Sequence, residues 1–181
     1  MSSRALRGLL LVGLVLITAF AAFGVAAGDA RQFRARPLIG FEESPPVSTV
    51  ARGAFSATLS RDGTTVSYEL RFSSLEGTVT QSHIHFAQRG VSAGITVWLC
   101  ETGTNPAPTA TTPACPTGAA GDDTVTGSFT AADVIGPAGQ GIAPAEFGEL
   151  IRAMRAGMTY VNVHSSKFPG GEIRAQIRAD D

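Results

Sequence analysis

The sequence lacks an excess of positive charge, since 14 Lys and Arg residues face 15 Asp and Glu residues and only 16% of its 181 positions are charged. A protein without a basic surface does not hold a phosphate backbone, so we exclude nucleic-acid binding. No glycine-rich phosphate loop follows a predicted strand and opens a helix, which excludes a nucleotide cofactor. The length fits one compact domain with appendages.

Cysteine is also scarce, and two cysteines exclude a disulfide-dense scaffold and a four-cysteine zinc site. Cys100 and Cys115 flank residues 101–114, a stretch rich in Thr, Pro, Ala and Gly that predicts a loop. In an oxidising compartment we expect a disulfide between them, worth about 3 kcal/mol in the chain-entropy model. The alternative, a pair of reactive thiols, lacks a C-x-x-C spacing and nearby basic residues.

Charged residues are absent from positions 9–27, and this apolar run follows the basic residues Arg4 and Arg7. It ends in the small residues Val25–Ala27, which completes the three-part pattern of a secretory signal peptide. We expect residues 1–27 to be cleaved off and the remaining chain to be secreted or extracytoplasmic, at the cell surface or in the periplasm. The alternative is an uncleaved membrane anchor, because the run approaches the roughly 20 residues that span a bilayer.

Alternating apolar and polar residues predict short strands over the rest of the chain. The clearest case is Val66–Phe72, where Val, Tyr, Leu and Phe share one face and Ser, Glu and Arg the other. The preceding Arg61–Thr64 contains an Asp-Gly pair typical of a hairpin turn. Residues 28–46 show no periodicity and are predicted to be a linker before a domain at 47–181. Seven strands are expected, at 49–59, 66–72, 82–86, 95–100, 124–130, 158–164 and 172–178.

One helix is predicted between the later strands. Four apolar residues lie at the spacing of a single helix face, namely Phe147, Leu150, Ile151 and Met154. Pro144 suits a first helical position and Gly157 suits a helix end. The sequence therefore predicts an all-β fold, an antiparallel β-sandwich with one short helix near the C-terminal strands.

The three histidines of the sequence fall on two of the predicted strands. His83 and His85 are separated by one residue, so both side chains point to the same face of a strand. His164 alternates with Val161 and Val163, which are expected to face the core. If the two strands are neighbours, the three imidazoles share the outer face of one sheet and form a candidate zinc or copper site.

The surroundings of this candidate site leave alternatives open. No fourth ligand is evident, although Asn162, Glu172 or water would serve, and the histidines would equally pin loops by hydrogen bonds to backbone. Gly170 and Gly171 predict a turn before a strand on which Glu172 and Arg174 share a face, where they would pair with each other or with a neighbour. Arg174 either fixes the histidine-bearing loop or lies on a solvated strand face.

Three stretches together resemble the CHRD domain, namely Ser82–His85, Tyr160–His164 and Pro169–Ile177. The resemblance covers roughly residues 47–178, with Ala175 at a position where the family usually has Gly. It implies an all-β, immunoglobulin-like sandwich and no general enzymatic activity. The family is named for chordin, whose separate cysteine-rich modules bind the growth factor. Because those modules are absent here, growth-factor antagonism is not implied.

The His-x-His strand is also similar to that of the copper-zinc superoxide dismutases, whose metals lie on the outside of a β-sandwich. Those enzymes need more imidazoles than the three present here, as well as a bridging aspartate function. A two-metal dismutase is therefore excluded by the number of ligands.

These observations favour a secreted or cell-surface binding module without catalytic activity, whose partner would be an extracellular protein or glycan. The second hypothesis is a metal-binding protein that uses His83, His85 and His164 for one zinc or copper ion. The third is a metalloenzyme, which needs an open coordination position and an acid or base nearby. Glu172 is the only candidate for that role, and no nucleophile–base pair or catalytic signature supports it.

Overall fold

Two antiparallel β-sheets pack face to face in the computed structural model of this protein, which describes residues 30–116 and 122–180. The described residues form the strands β1 (Gln32–Leu38), β2 (Arg52–Leu59), β3 (Val66–Ser73), β4 (Val79–Phe86), β5 (Ile95–Cys100), β6 (Asp122–Phe129), β7 (Thr159–Ser165), β8 (Ile173–Gln176) and β9 (Arg178–Asp180). One sheet has the order β6-β3-β2-β1-β9 and the other β5-β4-β7-β8. The predicted all-β, antiparallel sandwich is confirmed, whereas its likeness to immunoglobulins or superoxide dismutases stays a prediction.

The hairpin of β2 and β3 follows the sequence pattern residue by residue. The four apolar side chains of β3 are buried, namely Val66, Tyr68, Leu70 and Phe72. In the turn, Gly63 has a φ of 73°, and the Asp62 carboxylate accepts hydrogen bonds from the Ser60 hydroxyl at 2.5 Å and the Thr64 backbone N–H at 3.2 Å. Local turn chemistry thus sets the register of two inner strands of the five-stranded sheet.

The linker predicted at 28–46 is wrong, because this segment contains β1 and a 3-10 turn at Gly40–Glu42. Strand β1 pairs with β2 on one side and with β9 on the other. Its alternation is short, since only Phe33 and Ala35 are buried before Pro37 and a bulge interrupt the pattern. Two buried residues among arginines gave too weak a period-2 signal to be recognised as a strand.

The strand predicted at 172–178 is divided between the two sheets. Strand β8 pairs with β7 in the four-stranded sheet, whereas β9 pairs with β1 in the five-stranded sheet. Ile177, which lies between the two strands, is buried in the core. The chain therefore passes from one sheet to the other at this residue, which sequence alternation alone does not reveal.

The predicted helix is present as α1 (Phe147–Arg155). All four residues of the predicted apolar face are buried, namely Phe147, Leu150, Ile151 and Met154. The helix begins three residues after Pro144, because Ala145 has a φ of 69°, which lies outside the helical region. It ends before Gly157, whose φ of 68° suits a C-terminal cap.

The hydrophobic core lies between the sheets and contains side chains from both. From the four-stranded sheet, Ile84 of β4 and Val161 and Val163 of β7 point into it and are fully buried. Because side chains alternate along a strand, the residues between them project from the opposite, outer face. This face of the four-stranded sheet carries the three histidines.

The predicted disulfide joins Cys100 at the end of β5 to Cys115. Within the intervening loop, the Glu101 carboxylate accepts a hydrogen bond from the Ala107 backbone N–H at 2.6 Å. None of the described helices has the length and hydrophobicity of a membrane-spanning segment. The predicted signal peptide, residues 1–27, lies outside the described residues.

Replacing both cysteines, by Cys100→Ala with Cys115→Ala, should lower the free energy of unfolding by about 3 kcal/mol, because the bond constrains a loop of this length in the unfolded chain. Urea denaturation of the wild type and the double variant measures the difference. The wild type treated with a reductant serves as the control and should show the same loss. A double variant as stable as the oxidised wild type would contradict the expectation.

Candidate metal centre

The three histidines meet on the outer face of the four-stranded sheet. His83 and His85 lie on β4 and His164 on β7, and these two strands are antiparallel neighbours. One ring nitrogen from each histidine can be chosen such that the three nitrogens lie within 4.8 Å of one another. Two nitrogens bonded to one metal ion at about 2.0 to 2.1 Å lie no more than about 4.2 Å apart, so the three rings would move slightly closer together on binding an ion.

The three histidines lie on the outer face of the sheet, as expected, but they are not exposed to solvent. Their exposed fractions are 1% for His83, 7% for His85 and 6% for His164. Two loops cover them, the 87–94 loop between β4 and β5 and the turn at 166–172 before β8. Alternation in the sequence assigns a residue to a face of a sheet, but it does not show what covers that face.

Each covering loop provides a hydrogen bond to a histidine. Nδ1 of His85 donates to the carbonyl oxygen of Ala93 at 2.8 Å, and Nδ1 of His164 donates to that of Pro169 at 2.9 Å. Because a carbonyl oxygen only accepts, the proton lies on Nδ1 and the lone pair on Nε2. In metal-binding histidines, a hydrogen bond from the ring nitrogen that does not bind the ion fixes the tautomer and the ring orientation.

Four of the six ring nitrogens in the cluster are unpaired. Nε2 of His85, Nε2 of His164 and both ring nitrogens of His83 have no hydrogen-bond partner within the described residues. An unpaired buried polar atom costs about 1 to 3 kcal/mol. Their concentration at one point therefore requires an explanation beyond loop pinning.

Burial keeps all three imidazoles neutral at pH 7. Desolvation, together with the proximity of the other two rings, lowers the pKa of His83 to about 2. Desolvation lowers the pKa of His85 to about 4 and also lowers that of His164. The neutral imidazole is the form that coordinates a metal ion, so protons compete little for this site near neutral pH.

Aromatic and cationic groups flank the cluster on two sides. The Trp98 ring lies edge-on to His83, with 4.2 Å between ring centroids. The Tyr160 ring stacks on His85 at 4.6 Å, and the Arg174 guanidinium lies 3.3 Å from the centre of the Tyr160 ring. His85, Tyr160 and Arg174 thus form one continuous stack along the outer face.

Arg174 does not pair with Glu172, contrary to one of the expectations from the sequence. Its Nη2 donates to the carbonyl oxygens of Val91 at 2.8 Å and Gln88 at 3.4 Å, both in the loop that also holds His85. Arg174 forms no ion pair with any residue that the structure describes. Its contacts match the other expectation, a side chain that fixes the histidine-bearing loop.

Glu172 lies before the first residue of β8 and serves a different part of the molecule. Its carboxylate accepts hydrogen bonds from the Thr49 hydroxyl at 2.8 Å, the Glu76 backbone N–H at 2.8 Å and the Ser165 hydroxyl at 2.5 Å. It is fully buried. The strand alternation that grouped it with Arg174 does not extend into this turn, so Glu172 joins loops and is not part of the histidine cluster.

Glu43 is not among the residues predicted from the sequence, because it lies in the segment predicted as a linker. Its side chain is buried beside the cluster, and desolvation raises its pKa to about 7 against an opposing effect of Arg174. The backbone of Gly171, with a φ of 124°, leaves room for it. A Cβ added at Gly171 would lie 2.6 Å from Glu43 Oε1 and 3.0 Å from Asn162 Nδ2. Gly170, by contrast, borders open space. No pattern in the sequence links Glu43 to a glycine 128 positions later.

The family model described as the CHRD domain matches residues 35–177. This chain belongs to the CHRD domain family. No curated protein and no solved structure matches it significantly. The match starts inside β1, so this CHRD domain begins before residue 47, the start predicted from the sequence. The matched range contains all three histidines and the turn that covers them.

Without metal, this CHRD domain should lose stability as the pH falls from 7 to 5. The unfolded chain takes up protons on His83, His85 and His164 near pH 6.5, whereas burial lowers all three pKa values in the folded chain, to about 2 for His83 and about 4 for His85. Glu43 stabilises the folded chain as the pH falls from 7 to 4.5, because its pKa is raised from 4.5 to about 7 in the folded chain. This is the effect of one group against that of three histidines. The melting temperature in the presence of a chelator measures the effect.

The matched variant for this measurement is His83→Leu, which removes one of the three titrating groups. Its melting temperature should fall less between pH 7 and pH 5 than that of the wild type. An equal fall in both proteins, or no fall in the wild type, would show that the buried imidazoles do not govern the acid sensitivity.

The Glu172→Gln variant should lower the free energy of unfolding by about 2 kcal/mol. Both carboxylate oxygens now accept hydrogen bonds, whereas the amide nitrogen of Gln would face one of these donors and could not accept from it. Denaturant titration measures the loss. Glu69→Gln, which alters a carboxylate in an exposed pair with Arg71, is the control and should change stability little. Equal stability of both variants would refute the structural role of Glu172.

Proposed function

We propose that this CHRD domain is a non-catalytic, extracytoplasmic binding module that holds one zinc or copper ion through His83, His85 and His164. The observation that carries the proposal is the convergence of three buried, neutral imidazoles whose inward nitrogens have no partner among the described residues. A metal ion would accept the lone pairs of all three at once.

A purely structural role for the histidines accounts for only part of their contacts. His85 and His164 each use Nδ1 to hold a loop, and this leaves Nε2 unused. His83 is the most buried of the three, yet neither of its nitrogens contacts a partner that the structure describes. Hydrogen bonds to the loops explain two of the six ring nitrogens, whereas metal binding explains three more, one from each histidine.

The chemistry of the ligands favours zinc or copper. Neutral imidazole suits both ions, while Mg²⁺ and Ca²⁺ prefer oxygen ligands. Both cysteines are consumed by the disulfide, so thiolate does not contribute. No carboxylate joins the cluster within the described part of the chain.

The burial of the cluster supports a binding role over catalysis. A catalytic metal keeps a coordination position open to its substrate. Here none of the three histidines is more than 7% exposed. Glu172, the residue considered as the acid or base of an enzyme, already accepts three hydrogen bonds outside the cluster. The disulfide supports an oxidising, extracytoplasmic compartment. Recognition of an extracellular protein or glycan stays a prediction from the sequence.

Metal analysis of the purified protein tests the proposal. After incubation with zinc or copper and desalting, the wild type should retain about one ion per chain, and His83→Ala and His164→Ala should retain none. Thr96→Val is the matched control, because Thr96 is equally buried in the same sheet but its hydroxyl bonds the Ile84 carbonyl oxygen. It should retain the ion.

Trp98, the one tryptophan of the chain, provides a second readout. Its ring contacts His83, so bound Cu²⁺ should quench its fluorescence up to one equivalent, whereas Zn²⁺, which has no unpaired electron, should quench far less. Circular dichroism confirms that each variant is folded. A folded wild type that retains neither ion and shows no quenching would overturn the metal-binding function.

A further inference from the structure

A fourth polar side chain, that of Asn162, lies within the histidine cluster. It is on β7, two residues before His164, and the β4–β7 register places it directly opposite His83. Residues paired in this way have Cβ atoms about 4.5 to 5.5 Å apart. Asn162 therefore projects from the same outer face into the space that the three imidazoles border.

The amide oxygen of Asn162, like the unpaired histidine nitrogens, is buried and polar. The side chain is 3% exposed, and Oδ1 has no hydrogen-bond partner among the residues that the structure describes. Oδ1 can only accept, and so can Nε2 of His85 and of His164, because their protons lie on Nδ1. The neutral His83 ring carries one N–H group, which can satisfy only one of these three acceptors. A cation would satisfy all three together with the His83 lone pair.

The environment of the amide favours this orientation. The position of a Cβ at Gly171 lies 3.0 Å from Asn162 Nδ2 and 2.6 Å from Glu43 Oε1, so the nitrogen end of the amide lies towards the Glu43 carboxyl group. A carboxyl oxygen attracts an N–H group and repels a carbonyl oxygen. No hydrogen bond joins the two groups, and Glu43 Oε1 has no partner among the described residues, so the carboxyl group favours this orientation only by electrostatic attraction across a gap.

Glu172, the other side chain considered as a fourth metal ligand, forms its hydrogen bonds outside the cluster. Glu172 uses its two carboxylate oxygens for three hydrogen bonds to Thr49, Glu76 and Ser165. No further histidine, cysteine or carboxylate belongs to the cluster in the described ranges. Asn162 is thus the protein side chain placed to complete a four-coordinate site.

We propose that Asn162 Oδ1 is the fourth ligand of the metal ion, that Glu43 is the residue that positions it, and that the site of three imidazoles and one amide oxygen is closed to exogenous ligands. This inference rests on the proposed metal-binding function. Closed, four-coordinate zinc sites are structural, whereas catalytic ones keep a position for water. The ion therefore fastens β4 to β7 and excludes substrates.

Zinc affinity, measured by competition with a chromophoric chelator, tests the ligand. Asn162→Ala should bind zinc at least about tenfold more weakly than the wild type. Asn162→Asp keeps an oxygen at the same distance from the backbone and should bind zinc at least as tightly as the wild type. Thr96→Val again provides the control for a buried change in this sheet and should leave the affinity unaltered.

Water-proton relaxation of the Cu²⁺-loaded protein tests whether the site is closed. A closed site in the wild type should give low relaxivity, because no water is bonded to the ion. In Asn162→Ala, water should take the place of the amide oxygen and raise the relaxivity. High relaxivity in the wild type, or equal relaxivity and affinity in wild type and Asn162→Ala, would overturn the proposal.

A double-mutant cycle tests the positioning role of Glu43. Glu43→Gln should weaken zinc binding in the wild-type background, because the new amide no longer discriminates between the two ends of Asn162. In the Asn162→Ala background the same substitution should have no effect. Equal effects in both backgrounds would assign Glu43 a general structural role and remove it from the proposal.

The outcomes separate this inference from the proposed function. Loss of zinc binding in His83→Ala, together with unchanged affinity and relaxivity in the Asn162 variants, would leave a three-histidine site and refute only the fourth ligand. Failure of the folded wild type to bind zinc or copper would refute both.

Discussion

The antiparallel pairing of β4 with β7 is the constraint on which the site depends. It connects chain segments about 80 residues apart and places His83 opposite Asn162 and His85 opposite Tyr160. Because side chains alternate with a period of two, a slip of one residue would turn all of these groups into the core and Ile84 and Val161 out of it. Core packing therefore also enforces the register that assembles the histidine cluster.

Two loops provide the burial and the hydrogen bonds that the sheet alone does not give the histidines. An outer sheet face would ordinarily be wet, and imidazoles there would titrate near their usual pKa. Here the 87–94 loop and the turn before β8 bury the three rings and each supplies one carbonyl oxygen to a histidine. Burial makes all three rings neutral, and the two carbonyl bonds direct the lone pairs of His85 and His164 inwards. Neutral charge and fixed direction are the two properties that a histidine needs as a metal ligand.

Alternation in the sequence was sufficient to predict the sandwich, the β2–β3 hairpin and the common face of the three histidines. It was insufficient where structure arises from contacts distant in sequence. The strand β1 has only two buried apolar residues before its bulge, so its existence depends on pairing with β2 and β9. Glu43 becomes part of the site only because Gly171 leaves room for its carboxyl group. Likewise, nothing local distinguishes the loop-joining Glu172 from the arginine two positions later.

The stretch Pro169–Arg174, among those that carry the resemblance to the family, acts on the cluster through three different contacts. Pro169 offers its carbonyl oxygen to His164, Gly171 admits the Glu43 carboxyl group, and Arg174 holds the 87–94 loop through two carbonyl oxygens. These contacts require a turn, a missing side chain and a long planar cation, respectively. The motif is therefore best understood as the frame of the histidine cluster. Its residues hold the histidines in place, and none of them is among the proposed ligands.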